Sequence, residues 1–259
     1  MRDLLDAVAS GTITPEEAEQ RLAGYVTGDV GRFDATREDR RGIPEGILAE
    51  GKTPAETASL ASLSLRTTGS AIVTRMSDAH EDAIVERLTD AYPDAQVEID
   101  PRARTLVAHG VKYDRPELDA SIGVISAGTA DAAAAGEAAV VAREVGATVD
   151  RIDDVGVANL TRITDRLPAL RDHDVLIVAA GREGALPTVV AGLVDTPVIG
   201  LPVSSGYGHG GDGEAALAGM LQSCTALSVV NIDAGFVAGA QAGLIARTID
   251  AARTSGESV

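Results

Sequence analysis

Cys224 is the only cysteine among 259 residues, so it has no disulfide partner within the chain. It stands between a stretch dense in glycine and hydroxyl groups, Ser204 to Gly211, and an apolar run from Leu227 to Asn231. A free cysteine commonly behaves as a small buried hydrophobe. Next to a glycine-rich loop, where the backbone can come close to a ligand, the same thiol is a candidate nucleophile. Glu183 is a second reactive group, flanked by Gly181 and Gly184. A carboxylate there serves either as a general base or as an acid stabilised at a helix N-terminus. Ser204, Ser205, Gly206 and Gly208 offer hydroxyl and amide donors for a phosphate, and Tyr207 offers a ring for stacking. The alternative for that stretch is a mobile turn. Asn231 and Asp233 carry hard oxygen donors that suit magnesium.

Arg37, Arg40 and Arg41 form a basic cluster in an otherwise acidic chain. Arginine forks match carboxylate and phosphate, so the cluster is a candidate anion grip. A salt-bridged helix explains it equally well, because Asp34, Glu38 and Asp39 lie alongside. The four histidines are scattered without metal-ligand spacing, which argues against a zinc or nickel site.

The elements that must position these groups fall into two regions. Thr14-Pro15-Glu16-Glu17 and Thr53-Pro54-Ala55-Glu56 both carry a capping-box helix start with proline at the first helical position. A helix over 80–91 follows Ser77-Asp78, and short strands over 96–100 and 105–108 flank a turn. Pro116 and its acidic neighbours interrupt the pattern, giving a mixed α/β N-terminal domain over 1–118 and a second domain over 119–259. In the second domain, apolar strands over 122–126, 148–152, 175–179, 197–201 and 227–231 alternate with helices over 130–144, 160–170, 185–194 and 235–253. Continuously apolar strands separated by helices predict a three-layer α/β/α domain around a parallel sheet. Ligands of such sheets bind at the carboxyl ends of the strands, which places Ser126, Gly128, Gly181, Glu183 and the Ser204 loop on one edge. Neither a G-x-G-x-x-G turn nor a Walker loop is present, which disfavours a standard dinucleotide or triphosphate site. Gly235, Gly239 and Gly243 repeat every four residues on the last helix, and the stripe is read as a contact between subunits, with tight packing within one domain as the alternative.

The formal net charge of −17 argues against a nucleic-acid ligand, since a polyanion would be repelled. Only Lys52 and Lys112 are lysines, and an acidic, lysine-poor chain suits a salt-rich cytoplasm such as a haloarchaeon's. No apolar stretch reaches the length of a membrane span and no signal segment opens the chain, so a cytoplasmic protein with no membrane partner is expected.

Four segments carry a family resemblance: Ser126 to Asp131, Ala180 to Pro187, Pro197 to Val203, and Leu227 to Asp233. Together they resemble the core of the aminoimidazole ribonucleotide carboxylase family, whose members are flavodoxin-like and octameric. With Asp34 to Glu45 and the Ser223-Cys224 segment added, the chain is similar over nearly its whole length to the LarB family of nickel-pincer cofactor biosynthesis. The purine enzymes carry a Ser-Ala-His-Arg segment after the second strand, whereas this chain reads Asp153 to Asn159 without histidine or arginine.

The LarB resemblance implies carboxylation of nicotinic acid adenine dinucleotide at pyridinium carbon 5, with carbon dioxide or bicarbonate as the carbon source. It also implies hydrolysis of the phosphoanhydride, which releases AMP and leaves pyridinium-3,5-biscarboxylic acid mononucleotide. Cys224 would add to carbon 4, turning an electron-poor ring into an enamine, and Glu183 would remove the carbon 5 proton. Asp131 would hold the ribose or phosphate region, although as an isolated residue it also reads as a helix cap. A homo-octamer, magnesium at Asn231 and Asp233, and no organic cofactor complete that expectation. The competing readings are the purine carboxylase or mutase reaction and a non-catalytic nucleotide-binding module.

Overall fold

A strand covered on both faces has to be apolar at every position, whereas an edge strand alternates, and this contrast orders the second half of the chain. The computed structural model describes residues 2–15, 18–19 and 24–256. It divides into two compact units, Met1–Ile99 with Thr105–Asp114, and Asp100–Arg104 with Arg115–Val259.

The first unit contains α1 (Arg2–Ala9), a small antiparallel pair β1 (Val26–Thr27) and β2 (Arg32–Phe33), and α2 (Arg37–Arg41). There follow β3 (Gly46–Leu48), α3 (Pro54–Thr68), β4 (Ser70–Thr74), α4 (Asp78–Ala91), β5 (Gln96–Asp100) and β6 (Thr105–His109). The four longer strands form a mixed sheet in the order β3-β4-β6-β5. Helices α3 and α4 pack on it around Ile84, Leu88, Leu106 and Val73. The capping box at α3 forms as its sequence specifies: Glu56 N donates to Thr53 Oγ1, and Thr53 N donates to Glu56 Oε2 at 2.8 Å. At α4 the reciprocal partner is His80, whose Nδ1 accepts from Ser77 N at 3.2 Å. The matching box at Thr14 cannot be followed, because Glu16 and Glu17 lie outside the described residues.

The second unit is a parallel five-stranded sheet of β7 (Ser121–Ser126), β8 (Thr148–Ile152), β9 (Val175–Ala180), β10 (Val198–Pro202) and β11 (Ser228–Val229). Its order β11-β10-β9-β7-β8 is the flavodoxin-like arrangement. Central β9 and β10 are buried at every residue, while the edge strand β8 is only partly covered. The covering helices are α5 (Ala132–Glu144), α6 (Thr161–Thr164), α7 (Leu167–Arg171), α8 (Ala185–Ala191), α9 (Glu214–Leu221) and α10 (Gly235–Gly256). The single helix expected over 160–170 is two short ones. Pro168, near the start of α7, has no N–H to continue the helical ladder from α6.

The glycine stripe has a different use from the one expected. Gly235, Gly239 and Gly243 face α5 within the same chain, where an added Cβ would meet the Ala134 and Ala138 carbonyls and the Val145 side chain. The alanine-rich face of α5 and the stripe on α10 thus allow close helix packing inside the unit. The subunit contact assigned to these glycines is corrected to an internal one. Among the described residues, no helix is long and apolar enough to cross a membrane.

Candidate active site

In an open parallel sheet, two neighbouring strands whose connections leave in opposite directions open a crevice at their carboxyl ends. Here those strands are β7 and β9. A cavity of about 520 Å³ opens there, lined by the loops after β7, β8, β9 and β10. Gly128, Asp131, Gly181, Glu183, Ser205 and Tyr207 all line it.

Asp131 ties these loops together. Its Oδ2 accepts from Gly128 N at 2.8 Å and its Oδ1 from Ser205 Oγ at 2.9 Å, and the Gly181 backbone bonds to it as well. Loops from three strands therefore converge on one buried carboxylate. Burial pushes its pKa up from the ordinary aspartate value. The bonds from Ser205, Gly128 and Gly181 pull the other way, and the charge of Asp233 adds to the rise. Asp233 fixes the other end of the loop after β10, with its Oδ1 accepting from Ser204 N at 3.0 Å.

The loop after β9 turns sharply. Arg182 and Gly184 both have left-handed backbone, with φ of 51° and 65°. For arginine such a conformation is uncommon and costs about 1 kcal/mol or more, so the surrounding packing has to enforce it. At Gly184 a Cβ would also lie 2.6 Å from the Ala216 carbonyl of α9, so only glycine fits the turn. The result sets Glu183 on the cavity wall and aims the Arg182 guanidinium across the Tyr207 ring, 4.2 Å from its centroid.

An AIR carboxylase family model matches residues 121–256, and a LarB/PurE-like N-terminal domain model matches residues 25–110. The chain is a member of the LarB family, built on an AIR carboxylase-like core. An uncharacterized protein of Methanocaldococcus jannaschii is 34% identical to this LarB-family chain over 253 residues, covering 95% of it and 97% of the relative.

The structure brings together Gly128, Asp131, Gly181, Glu183, Ser205 and Tyr207 of the residues singled out by sequence. Ser204, Gly206 and Gly208 belong to the same loop after β10 without lining the cavity. Ser126 is turned away: its hydroxyl is buried and donates to Asp153 Oδ1 at 2.7 Å, so it supports the end of β7 rather than touching a ligand. Arg37 and Arg40 are engaged with Glu45 and Asp34 at 2.7 and 2.5 Å, which is the salt-bridged alternative, and Arg41 is exposed on the same helix.

Asn231 and Asp233 both carry oxygens already bonded within the chain. The Asn231 side-chain oxygen accepts from Ile232 N, and Asp233 is committed to Ser204 N. Among the described residues no group of three or more acidic, histidine or cysteine side chains is arranged to hold a metal ion.

Cys224 is exposed, on the loop between α9 and β11. Since Ser228 pairs with Ile199 in a parallel register, the residues before β11 lie at the amino end of the sheet. Thr225 there packs beside Gly192, at the far end of α8 from the cavity. The thiol is therefore absent from the cavity wall of its own chain.

Sequence reading gave no ligand role to Arg182, a cation of the cavity, or to Gly156-Val157-Ala158 after β8. The signal for both was their position after a parallel strand, where side chains face the ligand crevice.

Proposed function

We propose that this chain carboxylates carbon 5 of the pyridinium ring of nicotinic acid adenine dinucleotide and hydrolyses its phosphoanhydride, giving pyridinium-3,5-biscarboxylic acid mononucleotide and AMP. The observation that carries the reading is the makeup of the cavity. Glu183 stands on its wall, and the loop after β8 offers only Gly156, Val157 and Ala158. A small apolar loop leaves room for a flat heteroaromatic ring, and it supplies no histidine or arginine for the purine reaction.

In the proposed chemistry a thiolate adds to carbon 4, forming a C–S bond and moving the ring's electron demand onto an enamine. Carbon 5 of that enamine attacks carbon dioxide, supplied as such or from bicarbonate, and a C–C bond forms. Glu183 takes the carbon 5 proton, the C–S bond breaks, and the ring regains aromaticity with no net redox change. Water cleaves the anhydride to release AMP. The magnesium assigned to Asn231 and Asp233 has no part in this scheme.

The thiol cannot be the chain's own, since Cys224 and the cavity lie at opposite ends of one sheet. The reading therefore places Cys224 of a second copy in each cavity, in keeping with a homo-octamer. Purified protein incubated with nicotinic acid adenine dinucleotide and bicarbonate is expected to yield the dicarboxylated mononucleotide and AMP by mass spectrometry. Consumption of aminoimidazole ribonucleotide instead, or of neither substrate, overturns the reading. Mixing Cys224→Ser with Glu183→Gln before reassembly is expected to restore turnover at sites that pair an intact thiol with an intact carboxylate. A mixture as dead as its parents removes the shared site.

A further inference from the structure

Among the described residues, Arg182 is the only cationic side chain lining the cavity, in a chain whose acids outnumber its bases by 39 to 22. Six arginines elsewhere, Arg37, Arg40, Arg75, Arg151, Arg162 and Arg253, sit against carboxylates, while Arg32 lies over the Tyr25 ring outside the cavity. Arg182 sits against no carboxylate, although Glu183 is next to it in sequence and Asp131 lines the same cavity. Among the described residues it makes no ion pair, and its guanidinium lies against the face of Tyr207 instead. That ring is 75% exposed, so it is not held there by the core. Arg182 has left-handed backbone, and the residue lines the cavity. A planar fork, stacked on an aromatic face and kept from neighbouring acids, is pre-organised for a planar anion.

We propose that Arg182 reads the carboxylate of the pyridine ring, so that this pocket selects a nicotinate over the corresponding nicotinamide, with Tyr207 as the residue that positions the guanidinium. This rests on the function proposed above and adds the group that sets its specificity. A carboxylate gives the fork two charge-assisted acceptor oxygens, whereas a neutral amide gives one acceptor and turns an N–H₂ toward a cation. The carboxylate's charge is neutralised by Arg182, leaving Glu183 and Asp131 to face the positive ring.

The test compares binding of nicotinic acid mononucleotide and nicotinamide mononucleotide by calorimetry, alongside turnover of nicotinic acid adenine dinucleotide. The parent protein is expected to prefer the acid by about 10- to 100-fold, the range of a charged hydrogen bond. Arg182→Met should lose that preference by weakening the acid alone. Tyr207→Leu should raise KM with kcat largely kept, and Tyr207→Phe should restore KM, since the ring and not the hydroxyl carries the stacking. If the parent turns over its dinucleotide and Arg182→Met keeps the preference intact, the role of Arg182 is wrong and the function stands. If the parent neither binds the acid nor turns over the dinucleotide, the proposed function falls and this inference falls with it.

Discussion

The two ends of the five-stranded sheet are built from the same strands and serve different purposes. At the carboxyl end the loops are glycine-rich and left-handed at Arg182, Gly184 and Asp233. Several converge on one buried acid, Asp131, whose bonds hold an empty-sided crevice open rather than filling it. At the amino end, charged groups close on one another. Asp174 Oδ1 accepts from Arg253 Nη2 at 2.6 Å, its Oδ2 accepts from Ser121 N at 2.9 Å, and Arg253 also donates to the Asp119 carbonyl. A latch of paired charges steadies the end where the chain enters the sheet, whereas a carboxylate among backbone donors shapes the end where it leaves. The first arrangement satisfies its own charges; the second leaves Glu183 and Arg182 on the cavity wall with no ion pair among the described residues. Cys224 is the exception, a reactive group at the structural end.

That exception gives the largest expected effect. Cys224→Ser should lower carboxylation by about a thousandfold or more, the loss typical of a covalent nucleophile, while the melting temperature stays unchanged because the residue is exposed. Normal turnover would return Cys224 to the structural end and dissolve the exception. Next, Glu183→Gln should slow turnover by about 10²- to 10⁴-fold. It should also leave a substrate-derived adduct on Cys224, detectable by intact-protein mass spectrometry.

Substitutions that touch only packing should be smaller and should not respect the division. Gly239→Ala places a methyl against the Ala138 carbonyl and should destabilise by about 1–3 kcal/mol in denaturant melts. A dissociated but equally stable protein would instead return the stripe to a subunit contact.

Two pH experiments sharpen the contrast between the ends. Burial raises the Asp131 pKa, so its native form binds a proton more tightly than the unfolded chain does. The stability it contributes is present below the unfolded value and is lost as pH rises through the raised one. Asp131→Asn removes that loss, so its melting temperature relative to the parent should climb as pH rises above the ordinary aspartate value. Asp174 runs the other way. Burial acts to raise its pKa but the bonds from Arg253 and Ser121 outweigh it, and the net shift is downward. Its stability is present above the ordinary aspartate value and is lost as pH falls through the lowered one. Arg253→Met should therefore raise the pH of acid unfolding slightly, the smallest effect here, because Arg253 is largely solvated.

Much of the scaffold was legible before any coordinates. The strand over 148–152 and the capping box at Thr53 stand where the residues put them, because period and cap chemistry are local. The crevice residues Gly128, Gly181 and Glu183 followed from one non-local rule, that parallel strands present ligands at their carboxyl ends, whereas Asp131 came from the family resemblance. The edge strand was overextended: five residues were expected from Leu227 and only Ser228–Val229 pair, since an apolar run does not reveal how far a neighbour extends. Short β3 was not singled out, because three residues carry too little pattern to stand out.

By itself, the sequence determined the alternation of strands and helices, the parallel sheet and the set of groups able to do chemistry. Each of these depends on residue type and on neighbours a few positions away. Tertiary structure alone decided which of those groups meet. Ser126 turned to Asp153, the arginines of α2 went to their own acids, the glycine stripe closed on α5, and Arg182 was left facing a cavity beside Tyr207. A side chain's partner is set by chain segments tens of residues away, and a one-dimensional pattern carries no distance between them.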